Sequence, residues 1–423
     1  MSFLQTGVVT IGEGINLDAF SRLRTSDPGY RFDAQFTYAL NTDIWDSKPN
    51  LSGASGTIVY DSTYRLTTLS TVGAASVNVL QSHYNAPYTP GRSHLALITF
   101  RMGAENTGVV KRVGLYDEIG NGTYPYGIYL EKSGSSAPTL NINSGMNATE
   151  SVSQASWNVD PLTGSGPSGL TLDLTKTQIF VINFQALYVG EVTVGFDIGG
   201  TIVPVHTFNH ANTSAGEISG VAQPYIQQAS LPVHYSVRAA GASSGSMAAI
   251  CASVISEGGQ TLADMPGRSF TFNNGVTAAA GTAARTVALA IQCQQTFNSI
   301  RQNALVLPVG INAVCNQDTL IEVVRNATYS GAMTFGTTVD ATSTVLGSTT
   351  TGVTATAGTV VDSFYIPAAS GGTTRNAASI ALGGKVALCY SHLLGVADTL
   401  SICYSRVSGA TTFYSALTWK EIR

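Results

Sequence analysis

Hydrophobic and polar residues alternate along much of this chain, most clearly at 191–198. Val192, Val194, Phe196 and Ile198 interleave with Glu191, Thr193, Gly195 and Asp197, the period of two expected of a strand with one buried face. Gly199-Gly200 follows, a pair that accepts positive φ at both positions and so predicts a two-residue hairpin turn. The partner is "TIVPVHTF" at 201–208, where Pro204 removes a ladder donor and predicts an edge or bulged strand. "LPVHYSVRAA" at 231–240 repeats the pattern, with Val233, Tyr235 and Val237 on one face and His234, Ser236 and Arg238 on the other. Similar runs at 93–103, 109–120 and 125–134 are separated by turns rich in Gly, Asn and Ser. Together they predict an antiparallel sandwich or jelly roll.

Residues 133–175 are poor in basic residues and read as a long surface excursion. Near 257–280 small and turn residues break the rhythm, and a second series of strand-like runs follows to the end of the chain. The Thr/Gly/Ala tract at 334–363 is β-branched enough to form strands despite its low complexity. The expected architecture is all-β: an arm at 1–30, then two consecutive antiparallel β-sandwich or jelly-roll-like domains, 31–262 and 263–423. No fixed-period repeat or heptad occurs, which disfavours solenoids and coiled coils.

Composition sharpens this picture. Charged residues are 11% of the chain, about half the usual share of roughly 25%. The net charge of −4, with no basic run, argues against a nucleic-acid partner, which requires a cationic surface. The opening "MSFLQTGVVTIGEG" has neither the basic nor the long apolar region of a signal peptide. No apolar run reaches the roughly 18 residues of a spanning helix, so membrane insertion is not expected. Cys251, Cys293, Cys315, Cys389 and Cys403 are odd in number and form no CxxC, indicating neither a disulfide framework nor a zinc site. Cys389 and Cys403 are open to pairing if they face each other on adjacent strands; burial as free thiols is the expectation.

Candidate chemistry is sparse. His206 and His210 share a strand face at a spacing of about 13 Å, too far apart to hold one metal ion. Asp117, Glu118, Glu131, Asp160, Asp173 and Asp197 offer carboxylates but no spacing that selects a glycosidase pair. No nucleophile elbow and no phosphate loop occur, so no enzyme, metal or cofactor is expected. Tyr124, Tyr126 and Tyr129 lie beside a turn and are candidates for contact with a glycan or partner, against the blander alternative of cross-strand packing.

Charge concentrates in "INLDAFSRLRTSDPGYRFDAQF", where Asp18, Arg22, Arg24, Asp27, Arg31 and Asp33 fall within sixteen residues. This opening resembles the "DAFGRLRVS…FD" start of a group of tailed-bacteriophage virion proteins. "TQIFVINFQALYVGEVTVGFDIGGTIVPVHTFNHAN", "LPVHYSVRAAG…SMAAICASVISEGG" and "ALTWKEIR" resemble that group's middle, following and final segments. The resemblance implies a structural part of the virion, tail- or baseplate-associated or a head decoration, assembled in the host cytoplasm. It implies other virion proteins as partners and a symmetric homo-oligomer, a trimer by analogy. An adhesin for a host surface glycan is the alternative, and a polysaccharide depolymerase a distant third. In this reading the six charged residues form an assembly interface, the arginines gripping carboxylates of the same or the next subunit through two hydrogen bonds.

Overall fold

The computed structural model describes residues 27–423 apart from 54–55, 120–123, 146–148, 186, 213–216, 219–220, 223, 276–278, 281–283, 351, 369–375, 384, 408 and 410. Regular structure among the described residues is antiparallel strand, with a single short 3-10 turn at Gln154–Ser156. The chain divides into two compact units, Met1–Thr261 and Leu262–Arg423.

The first unit packs two sheets over one core. The eight-stranded sheet runs Thr201–Phe208, Val192–Ile198, Gln178–Phe184, His94–Arg101, Gly245–Ser256, Leu66–Thr71, Gly56–Asp61, with Gly29–Gln35 also paired to Gly245–Ser256. The seven-stranded sheet runs Thr149–Ser153, Thr139–Asn143, Tyr124–Ser133, Val109–Ile119, Val233–Ala239, Ser76–Ser82, Trp45–Gly53. Phe100, Phe180 and Phe196 from one sheet meet Val113, Leu130 and Tyr235 from the other in a single buried cluster. Each such side chain withdrawn from water contributes about 1.5–3 kcal/mol. Trp45 stacks on Phe36 and meets the edge of Phe32, fastening the first strand to the opposite sheet.

The predicted hairpin is present: Val192–Ile198 pairs with Thr201–Phe208, and Gly199 and Gly200 take φ of 66° and 81°. The Pro204 strand is the sheet edge and carries a register shift opposite Val194 and Gly195. Two expectations need correction. Val233–Ala239 is buried on both faces, because His234 and Ser236 are as enclosed as Tyr235. Residues 133–175 also extend the seven-stranded sheet through Thr139–Asn143 and Thr149–Ser153, and send Trp157, Leu162 and Leu174 into the core. Polar composition hid them, since the two short strands carry only Leu140, Ile142 and Val152 as apolar residues.

The second unit packs a five-stranded sheet (Arg268–Asn273, Thr412–Ile422, Leu305–Cys315, Asn376–Ala381, with Ala279–Ala280) and a six-stranded one (Thr337–Thr338, Val345–Ser348, Thr286–Cys293, Thr399–Arg406, Thr319–Arg325, Thr359–Ile366). Leu289, Ile291, Ile321 and Ile402 of the second sheet join Ile311, Phe413, Leu417 and Trp419 of the first in its core. The low-complexity tract supplies three of these strands, as its β-branched content predicts. All five cysteines are free thiols; Cys403 sits in Thr399–Arg406, while Cys389 accompanies Asp398.

Candidate functional site

Strand Val109–Ile119 lies between Tyr124–Ser133 and Val233–Ala239, so residues opposite in register share a face. Period two sends Val113 and Leu115 to the core and Arg112, Tyr116 and Glu118 to the other face. There Arg112 Nε lies 2.7 Å from Glu131 Oε2, and its Nη1 3.7 Å from Glu118 Oε1. Arg238 Nη2 stands 3.3 Å from the second Glu118 oxygen. The Arg112 guanidinium also covers the Tyr129 ring, 5.6 Å from its centroid. Tyr116 shares a 2.8 Å hydrogen bond with Ser236 and packs its ring against His234, whose Nδ1 is 3.0 Å from Gln81 Oε1. Burial pushes the Glu118 carboxyl upward, while Arg238 and Arg112 pull it back. Burial holds His234 well below its ordinary value, and the same two arginines add to that. Two cations thus balance two carboxylates beside a neutral imidazole. The arrangement clamps three strands together.

One end of the same strand opens into a cavity of about 400 Å³ lined by Met102, Asn106, Lys111, Lys132, Gln154 and Asp173 among others. Lys111 is in phase with Val109 and Val113 and so faces inward, where its ammonium donates to Met102 O and Ala104 O, both at 2.6 Å, and to Asn106 Oδ1 at 3.2 Å. Burial, helped by the charge of Lys132, brings its pKa down to about 8. With all three hydrogens engaged, Lys111 ties the 102–106 loop to the sheet. Lys132 pairs with Glu105 at 2.6 Å beside it.

Both units also end a sheet in a strand that carries exposed apolar residues. Gly56–Asp61 terminates the eight-stranded sheet and presents Val59; Tyr38, 90% exposed, and Tyr64 flank it, held near by Tyr60 and Arg65 hydrogen bonds to Thr37 O. Thr359–Ile366 terminates the six-stranded sheet and presents Val360 and Tyr365, the latter 70% exposed. Among the described residues nothing pairs with the outer edge of either strand.

Neither a family model nor a curated protein matches this chain. Solved structures similar to it include a Bacillus licheniformis beta-glucanase (TM-score 0.34, 13% identity, 56% of this chain and 100% of that one). Others are the Emp47p carbohydrate recognition domain (0.33, 12%, 55% and 97%) and an endo-beta-1,4-glucuronan lyase from Trichoderma reesei (0.33, 12%, 56% and 97%). At these values the likenesses say nothing about what this chain does.

The sequence-derived candidates fare unevenly. Asp18, Arg22 and Arg24 lie outside the described residues. Asp27 and Asp33 are exposed, whereas Arg31 is 1% exposed and turned inward at a register shift between Tyr30 and Phe32. Within its own chain Arg31 therefore pairs with neither Asp27 nor Asp33, and the bulge puts it on the face opposite Asp33. Tyr126 and Tyr129 are three residues apart and so fall on opposite faces: Tyr126 enters the core and donates to Gln228 O at 2.8 Å, while Tyr129 packs on Tyr116. Both are buried, so they form no common contact surface; the side chain of Tyr124 lies outside the described residues. His206 accepts from Asn158 N and meets the edge of Phe208, while His210 stacks on Tyr225 and lies 3.1 Å from Glu150. Asp160, Asp173 and Asp197 each accept backbone N–H bonds in turns. The edge aromatics were missed because a single exposed Tyr, in a turn as at Tyr38 and Tyr64 or in a strand as at Tyr365, carries no periodic signal. Lys111 was missed as well, although a charge at a core phase of its strand was a signal that could have found it.

Proposed function

We propose that this chain is a structural component of a tailed-bacteriophage particle, tail- or baseplate-associated or a head decoration, which acts by symmetric packing of its β units. The observation that carries this reading is the pair of open sheet edges, one presenting Val59 with Tyr38 and Tyr64 beside it and the other presenting Val360 and Tyr365. An open edge with apolar side chains offers unpaired backbone donors and acceptors to another chain, and proteins that stay monomeric blunt such edges with charge, proline or covering loops. Closed rings of identical subunits bury such edges in each copy at once. The likeness of 15–36 to the opening of the virion group supplies the particle context. Immunogold microscopy of purified particles with antibody to residues 262–423 tests it. Gold on tails or heads is expected; particles free of gold while the protein remains in the soluble lysate overturn the reading.

A second reading, an adhesin for a host glycan, rests on the cavity beside Lys111. Its volume lies within the roughly 300–1,000 Å³ of small-ligand sites, and it combines amide and carboxylate groups with apolar walls. Saturation-transfer NMR with a panel of mono- and disaccharides, repeated on Gln154→Ala, checks it: transfer that the substitution abolishes supports the adhesin, and no transfer removes it.

A further inference from the structure

Arg31 occupies a corner of the first unit where three chain segments meet: the start of Gly29–Gln35, the start of His94–Arg101, and the 256–260 turn after Gly245–Ser256. Its Nη1 donates to Gln260 O at 3.0 Å. Its Nε and Nη2, the two donors that lie parallel along one side of a guanidinium, have no partner among the described residues, although the residue is 1% exposed. Among the described residues the charge that acts on it, Arg92, has the wrong sign to compensate. Arg92 is close enough to depress the Arg31 guanidinium further, and Arg31 in turn helps hold His94 at about 3. Arg92 itself reaches the turn by donating to Glu257 O at 2.7 Å.

Other unpartnered groups converge on the same corner. In register, Ser256 stands opposite Gly29 on one side and His94 on the other, so the three residues form one row across adjacent strands, with neighbours about 5 Å apart. Ser256 Oγ, His94 Nε2 and Gln260 Oε1 are all buried without a hydrogen-bond partner. The backbone is closely fitted around them: a Cβ at Gly29 would lie 2.4 Å from Gln260 O. An arginine does not escape burial by losing its proton. An enclosed, uncompensated guanidinium is strongly unfavourable, and water supplies hydrogen bonds without the opposing charge. The free donor pair has the spacing of the two oxygens of a carboxylate or of a phosphate or sulfate edge.

We infer that the Arg31 corner is an oxyanion site, in which Nε and Nη2 grip two oxygens side-on and Ser256 and Arg92 complete the cradle. The anion comes either free from solution or as a carboxylate side chain of a second copy, and the experiment separates these sources. Thermal unfolding of the full chain is followed in sodium sulfate, phosphate and acetate against sodium chloride at equal ionic strength, for wild type and Arg31→Met. Sulfate strengthens burial generally, so the informative quantity is the difference between the two proteins. With a free anion, the wild-type midpoint rises about 3 °C more than the variant's for each tenfold of anion above its dissociation constant. With a carboxylate from a second copy, the wild-type midpoint instead rises with protein concentration in chloride alone, and Arg31→Met loses that rise. Should the methionine variant fail to fold, Arg31→Lys, which keeps the charge without the parallel donors, is expected to weaken the response at least tenfold. Midpoints that respond equally in both proteins, or to neither anion nor protein concentration, overturn the site.

Discussion

Glu421 in the second unit and Arg31 in the first are both about 1% exposed, yet their surroundings differ completely. Glu421 accepts from Ser343 Oγ at 2.7 Å, Thr344 N at 3.0 Å, Thr344 Oγ1 at 2.9 Å, Trp419 Nε1 at 3.2 Å and Arg423 at 2.5 Å. Asp398 is similarly supplied by Arg325, Asn326 and the Cys389 backbone. Arg31 has one carbonyl. A buried charge saturated from its own chain closes a fold, as Glu421 ties the last strand to the 343–344 segment. A buried charge left half-satisfied destabilises the fold until something else completes it. The difference therefore separates a structural clasp from a site.

The largest expected effect tests the clasp. Glu421→Ala strips the common acceptor from five donors and should cost the second unit about 3–5 kcal/mol, read as a lower urea midpoint in Trp419 fluorescence. Arg31→Met should behave oppositely in buffer free of oxyanions, costing under about 1 kcal/mol, because the charge it removes is uncompensated. Equal losses at the two positions would erase the contrast.

A third test uses pH. His94, at about 3, and His234, well below its ordinary value, are neutral when folded, whereas in the unfolded chain they take up protons as pH falls through 6.5. The unfolded state then binds more protons than the folded one, so their contribution is complete above pH 6.5 and is lost as pH falls below it. Each costs about 1.4 kcal/mol per pH unit. Glu118 acts with the opposite sign: its folded pKa is raised, so its contribution is present at low pH and fades as pH rises through that value. The second unit holds one comparable group, His392 at about 4. Urea titrations at pH 7 and 5 should show the first unit losing more stability, and His94→Phe, which retains the ring between Tyr88 and Phe184, should reduce that loss. The smallest effect is expected at Lys385, paired with Asp362 at 2.7 Å but about half exposed: Lys385→Ala should shift the midpoint by less than about 1 kcal/mol.

Much of the fold was legible because its signal is local. The alternation at 192–198, the Gly199-Gly200 turn and the Pro204 edge are each set by residues within a few positions of one another. What was not legible depends on register. Nothing in the sequence near Arg31 says that a bulge turns it away from Asp33, nor that Ser256 and His94, 162 residues apart in the chain, will be opposite each other. The clamp around Arg112 needs residues from three strands in phase, while its alternating pattern alone suggested a half-solvated face. Tyr126 and Tyr129 show the limit from the other side: proximity in sequence suggested one surface, and the period of two placed them on opposite faces.

The claim that the open edges are assembly contacts is tested most directly by sedimentation velocity on the wild-type chain and on Val59→Lys/Tyr365→Lys. Both substitutions put a charge on an exposed edge position and leave the cores untouched. The account predicts that the wild type sediments as one closed oligomer, three copies by analogy with the virion group, and the double variant as a monomer. A wild type that remains monomeric at every concentration, or a variant oligomer of unchanged mass, would contradict it.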